Sequence, residues 1–224
     1  MTLTDDQLLA QALDRHRAGD IEAAEQLYRA ILHRSRVHFD AQRLLGLALH
    51  AQRRNAEAHT ALIRAARIKP DSPFVHADLG LVLQALGRFD DALAAQDRAL
   101  AIKPDHADAF YNRGNVKLAL GRPQEALDDY AAMLALVPGF VPALNNTALA
   151  LLHLNRPAEA LPWLDRALAA QPDYAFAHMN RGAAFLALGD PARALASYDR
   201  ALALAPDNAE ARAGRDRAVL ALPA

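Results

Sequence analysis

The chain has 224 residues, 53% of them hydrophobic, with a formal net charge of −1 and no cysteine. Near-neutral charge removes the electrostatic basis for gripping nucleic acid or an acidic membrane surface, which needs clustered lysine and arginine. Without cysteine there is neither a disulfide framework nor a thiolate metal site.

At the N-terminus, MTLTDDQLLA lacks a basic stretch followed by an apolar run, so no signal peptide is expected. Thr4 and Gln7 instead have the spacing of a capping box opening a helix. From there the chain repeats itself. Gly46, Gly80, Gly114 and Gly182 are separated by 34, 34 and 68 residues, and Ala148 occupies the missing beat. Alanine recurs in register at Ala24, Ala58, Ala92, Ala126, Ala160 and Ala194, and proline at Pro70, Pro104, Pro138, Pro172 and Pro206. A fixed period of this length predicts stacked supersecondary units rather than one globular core. The repeats are set at 5–38, 39–72, 73–106, 107–140, 141–174 and 175–208. In the first, Ala12 stands in place of glycine and Arg36 in place of proline.

The fourth repeat shows what each must be. A helix is predicted from Asp108 to Leu120, stopped at Gly121, where a residue past a helix end turns left-handed. Pro123 suits the first turn of a second helix, which needs no amide hydrogen there. That helix runs to about Val137, with Ala126, Tyr130, Met133 and Leu134 on one face. Two antiparallel helices therefore form each repeat, with breaks expected near Gly87, Gly121, Asn155 and Gly189. Gly114 and Ala126 are small because the pair must cross closely there. Asp71, Asp105, Asp173 and Asp207 follow the terminal prolines and are expected to cap or charge the next helix. Pro138-Gly139-Phe140-Val141-Pro142 reads as a rigid turn, and Pro162 falls inside a second helix, where it removes a hydrogen bond. One more helix closes the array, about Ala209 to Leu222. Asp216 holds its glycine place, which fits an end helix with no partner on that side, exposing Arg212, Arg215 and Arg217.

This spacing of small, aromatic and proline places resembles the tetratricopeptide repeat, over nearly the whole chain. The resemblance implies an all-α, right-handed α-α superhelix of six repeats plus a C-terminal capping helix, a single solenoid domain. It also implies that first helices line a concave groove, and that the protein is an adaptor holding a protein or peptide rather than an enzyme. Places 2, 5, 6, 9 and 13 of each first helix share one face by the 3.6 period. Place 6 carries Asn112, Asn146 and Asn180, with Asn115 and Asn145 nearby. An amide donates and accepts at once, so a row of them can hold an extended peptide backbone without reading its sequence. The row is similar to the asparagine ladder in O-linked N-acetylglucosamine transferase repeats, though Ala10, Leu44 and Asp78 hold the earlier places. Phe74, Tyr111, Phe176 and Met179 add apolar anchors on the same face, beside Leu149 and Leu152. The carboxylate clamp of chaperone-binding members is absent, since Leu9, Leu13, Leu44, Phe74 and Asp78 fill its places.

No phosphate-cradling loop, zinc-protease motif or nucleophile elbow appears. His16 and His50 share the twelfth place of adjacent repeats but lack carboxylate support for a metal. Asp97-Arg98, Asp165-Arg166 and Asp199-Arg200 read as a solvated outer face. No cofactor, metal, nucleic acid or membrane partner is expected, and a cytoplasmic monomer is. Two rivals remain: the substrate-recognition part of a larger glycosyltransferase, and a self-assembling scaffold.

Overall fold

The computed structural model describes residues 3–223, which hold thirteen α-helices and no strand. In order these are α1 (Asp5–Arg17), α2 (Ile21–Arg34), α3 (Phe39–Ala51), α4 (Asn55–Ile68), α5 (Pro73–Ala85), α6 (Phe89–Ile102) and α7 (Ala107–Ala119). They continue with α8 (Pro123–Leu136), α9 (Val141–His153), α10 (Pro157–Ala170), α11 (Ala175–Ala187), α12 (Pro191–Leu204) and α13 (Ala209–Leu220). This is the predicted array of six helix pairs and a closing helix. The chain divides into two compact units, one up to Val116 and one from Lys117 onward, the boundary falling within the continuous helix α7. In the first unit α1 packs on α2, α3 on α4 and α5 on α6; in the second, α9 packs on α10 and α11 on α12. Among the described residues no helix is long and apolar enough to cross a membrane.

The repeated small residues are where the helices close up. All six register alanines, Ala24 to Ala194, are fully buried. The glycine faces less the alanine than the residue at place 24 on the second helix. A Cβ on Gly46 would lie 2.6 Å from Leu62 Cγ, and one on Gly182 would lie 2.9 Å from the Tyr198 ring. For Gly46 the nearest atom of Ala58 is its carbonyl oxygen, at 3.4 Å. Large side chains at place 24 therefore occupy the volume that glycine leaves empty. In the third repeat that place holds Gln96, fully buried, whose Nε2 donates to the carbonyl of Ala77 at 3.0 Å.

Turns between paired helices need a left-handed residue at place 15. Gly19, Gly87, Gly121 and Gly189 supply it with φ between 70° and 80°, Asn155 with 56°, and Arg53 with 61°. The capping box of Thr4 and Gln7 forms as expected. Asp71, Asp173 and Asp207 are not the caps. The N-cap residues of α5, α11 and α13 are Ser72, Tyr174 and Asn208, each one residue beyond Asp71, Asp173 and Asp207. Pro162 sits inside an uninterrupted α10, where the carbonyl of Ala158 loses its usual donor. At the turn before α9, Phe140 N donates to the carbonyl of Val137 at 3.2 Å, and Pro142 lies in the first helical turn.

Two side-chain devices join one repeat to the next. At place 4, His76, His178 and Arg212 each reach back six residues to the carbonyl of Pro70, Pro172 and Pro206, at 2.7, 2.8 and 2.9 Å. At place 25 the acid of each Asp-Arg dipeptide pairs with an arginine 16 residues on rather than with its neighbour. Asp97 meets Arg113 at 2.6 Å, Asp165 meets Arg181 at 3.7 Å, and Asp199 meets Arg215 at 2.6 Å. So the dipeptides are more than a solvated face, although each pair, half-exposed, contributes about 0–1 kcal/mol. Asp216 is exposed as expected, but α13 has its own close contact: Gly214 lies directly on the Tyr198 ring, with Ala211 and Ala218 buried beside it.

Candidate functional site

First helices of successive repeats meet along places 5 and 6, which puts residues 35 apart in contact. In the first unit Arg43 Nη1 lies 2.7 Å from Asp78 Oδ2, both largely buried. Burial pushes the Asp78 carboxyl above its usual range, and the Arg43 guanidinium works against that. In the second unit the same seam is built of amides. Asn180 Nδ2 donates to Asn145 Oδ1 at 2.9 Å, and Asn145 Nδ2 donates to Asn146 Oδ1 at 3.1 Å. Asn145 and Asn180 are each 4% exposed, whereas Asn146 is only partly buried. Asn180, Asn145 and Asn146 are thus linked by side-chain hydrogen bonds, and two of them do not face water as a free-standing row would.

Beside this chain the second unit has an open depression of about 450 Å³. Asn145, Asn146, Asn180, Phe176 and Met179 all line it, together with Leu149, His153, Tyr174 and Glu210. Phe176 is its exposed anchor, at 54%, with its ring centroid 5.8 Å from that of Tyr174 in a tilted pair. Met179 contributes a sulfur edge from a buried position, and Asn208 Nδ2 donates to that sulfur at 3.5 Å. The depression therefore combines an apolar aromatic wall, amides on its floor, and one carboxylate, Glu210, on its rim.

The remaining sequence-derived residues belong to the first unit. Phe74 is 48% exposed and meets His106 edge-on at 5.1 Å, with Arg43 and Lys103 at 5.9 and 5.6 Å from its ring centroid. Burial lowers the His106 pKa, favouring the neutral ring. Tyr111, Asn112 and Asn115 are partly buried on α7. Sequence reasoning did not single out Tyr174, His153 or Glu210, nor the Arg43–Asp78 pair. The 35-residue offset was the available signal for that pair. His16 and His50 turn to different partners, Tyr28 Oη at 3.1 Å and Asn55 Oδ1 at 2.8 Å.

Comparison with known proteins follows the same repeat. Family profiles described as tetratricopeptide repeat match residues 9–73, 79–144, 115–175, 146–209 and 179–222. No curated protein matches the chain. Among solved structures, the APC/C hetero-tetramer Cut9–Hcn1 superposes with a TM-score of 0.91 at 18% identity, over 96% of this chain and 43% of that one. The chain therefore spans less than half the length of that relative. PilW, described as a widely conserved type IV pilus biogenesis factor, matches with a TM-score of 0.85 at 20% identity, over 95% of this chain and 99% of that one. YrrB, described as a TPR protein with an unusual peptide-binding site, matches at 0.64 and 18% identity, over 84% of this chain and 97% of that one. At such identities the likeness is one of fold. None of these matches supports the narrower likeness to transferase repeats.

Proposed function

Because the chain belongs to the tetratricopeptide repeat family, whose arrays are protein–protein interaction modules, we propose that it holds an extended polypeptide segment in the depression of its second unit. The observation that carries this reading is convergence. Five residues chosen for backbone pairing or apolar anchoring line one open depression, and its aromatic is half-exposed with no ligand needed to place it. Asn146 is assigned to the ligand's backbone and Phe176 to one of its side chains, with Asn145 and Asn180 holding Asn146 in position. In the first unit Phe74, Tyr111, Asn112 and Asn115 occupy equivalent places and are proposed as a peptide-contacting set of that unit's own. The fold likeness to YrrB is compatible with peptide binding and carries no more weight than that.

The test is a set of peptides selected by display against the whole protein and titrated against two variants. Asn146→Ala should weaken all of them alike by about 0.5–1.5 kcal/mol, the net worth of a hydrogen bond, which is roughly two- to twelvefold in Kd. Phe176→Ala should discriminate among them, since it removes a side-chain contact. Both residues are accessible, so circular dichroism and the melting midpoint should stay near wild type. Unchanged affinity in both variants would move the site elsewhere.

A further inference from the structure

A second opening lies in the first unit, away from the residues proposed above for peptide binding. Helices α2, α3 and α4 enclose an open groove of about 540 Å³, walled by Arg29, His33, Arg36 and Arg64 and floored by Gln42 and Leu45. Its cations differ in what they already hold. Arg29 is bound to Glu25 at 2.8 Å and lies 3.8 Å from Glu57. Glu57, which lines the adjoining stretch of groove, is itself held by Arg54 at 2.7 Å. Arg36 and Arg64 are exposed and, among the described residues, neither forms an ion pair.

The floor supplies an independent sign. Gln42 is 4% exposed and lines the groove, and among the described residues its side chain makes no hydrogen bond. Its amide atoms are not among the fully buried polar atoms that lack a partner, so they open onto the groove, where donor and acceptor are both available to a ligand. Elsewhere, polar side chains at this place are tied back: His76, His178 and Arg212 each bind the carbonyl of the preceding repeat's proline. The residue in that proline's place before Gln42 is Arg36, and no such tie forms. Both departures from the repeat fall in this one groove, one adding an uncommitted cation and the other an uncommitted amide.

We infer that this groove binds an acidic segment of a protein partner. Arg36 and Arg64 engage side-chain carboxylates through forked guanidinium contacts, and Gln42 pairs with the segment's backbone, donating and accepting at once. Carboxylates fit better than phosphates. Only two guanidinia are uncommitted, no lysine lines the groove, and Glu57 beside it repels a doubly charged group more strongly than a singly charged one.

The inference is independent of the depression in the second unit, and the experiment keeps the two apart. The probe is a fluorescein-labelled eight-residue peptide alternating glutamate and alanine, with a glutamine version and a phosphoserine version as comparators. Fluorescence anisotropy is read against the full chain. The glutamate peptide should bind, more weakly as salt rises, and the glutamine peptide should not. The double variant Arg36→Ala/Arg64→Ala should lose about tenfold or more in affinity. Gln42→Leu, close in shape and without the amide, should bind about threefold or more weakly while melting near wild type. Phe176→Ala should bind as wild type does. No binding of the glutamate peptide, equal binding of the glutamine peptide, preference for phosphoserine, or unchanged affinity in the double or the Gln42 variant would each overturn the inference.

Discussion

Arg53 shows how a single residue can sit against the logic of its own repeat. Its φ of 61° lies in the left-handed region, where four of its five equivalents are glycine and the fifth is asparagine. An L-residue with a Cβ carries about 1–2 kcal/mol of steric cost there. Glycine would remove that cost and add back about 0.5–1 kcal/mol of backbone entropy lost on folding. Arg53 is exposed, and among the described residues no ion pair or side-chain hydrogen bond involves it, so little else changes. Arg53→Gly should therefore raise stability by up to about 1.5 kcal/mol, read as a higher urea midpoint at constant slope. A lower midpoint would mean that the turn does not strain its arginine. The same scale explains why Asn180 and Asn146 are not equivalent despite sharing a place. Asn180 is held against Asn145 and buried, so Asn180→Ala removes a structural bond, whereas Asn146 is open to the depression.

Between elements, the second helices begin with a recurrent ion pair, and one pair goes deeper. Arg54–Glu57, Arg88–Asp91, Arg122–Glu125 and Arg156–Glu159 join each arginine N-cap residue to an acid three residues on. Being exposed, these help set the first turn but add little stability each. Lys117 on α7 and Asp129 on α8 are different, at 2.8 Å with side chains 15% and 3% exposed. Removing only the cation takes one charged partner from a buried carboxylate that keeps its other contacts, a loss on the order of 1–3 kcal/mol. Lys117→Met should thus lower the unfolding free energy by that order, and Lys117→Met/Asp129→Leu should recover much of it, because an apolar pair needs no desolvation. Chemical denaturation of wild type and both variants checks this. A single variant as stable as wild type would show that the carboxylate is satisfied without the lysine.

At the scale of the whole molecule, contacts stay local. Within each unit a helix touches helices one or two places along the chain, so stability is a sum of repeat and neighbour terms. A Cβ on Gly46 already falls 2.6 Å from Leu62, and Gly46→Leu should overpack that crossing by about 1–3 kcal/mol or more. Native-state hydrogen exchange should then show α3 and α4 losing protection while α11 and α12 keep theirs. An equal loss at both would mean one cooperative globule and end the nearest-neighbour description. The two binding surfaces argued above are each formed within one unit, so variants at one should leave the other intact.

The repeat itself was legible because a stack must remake the same contacts every 34 residues, and small or turn-forming residues are the only ones that fit certain places. Gly46, Gly182, Ala126 and the breaks at Gly87, Gly121, Asn155 and Gly189 could be read that way, and so could the family. The aspartates after the prolines could not, since the geometry of the connecting turn moves the cap one residue on, to Ser72, Tyr174 and Asn208. Nor could the asparagine row. Helical periodicity says which face a side chain leaves from, but only stacking decides whether the next repeat's residue is close enough to bind it. That is why Asn180 is paired to Asn145 while Phe176, four residues earlier on the same helix, stays half-exposed. By itself the sequence determined the helices, their order and the places where they close up. The tertiary structure decided which polar groups satisfy each other across repeats, and which ones, Gln42, Arg36 and Arg64 among them, are left facing an opening.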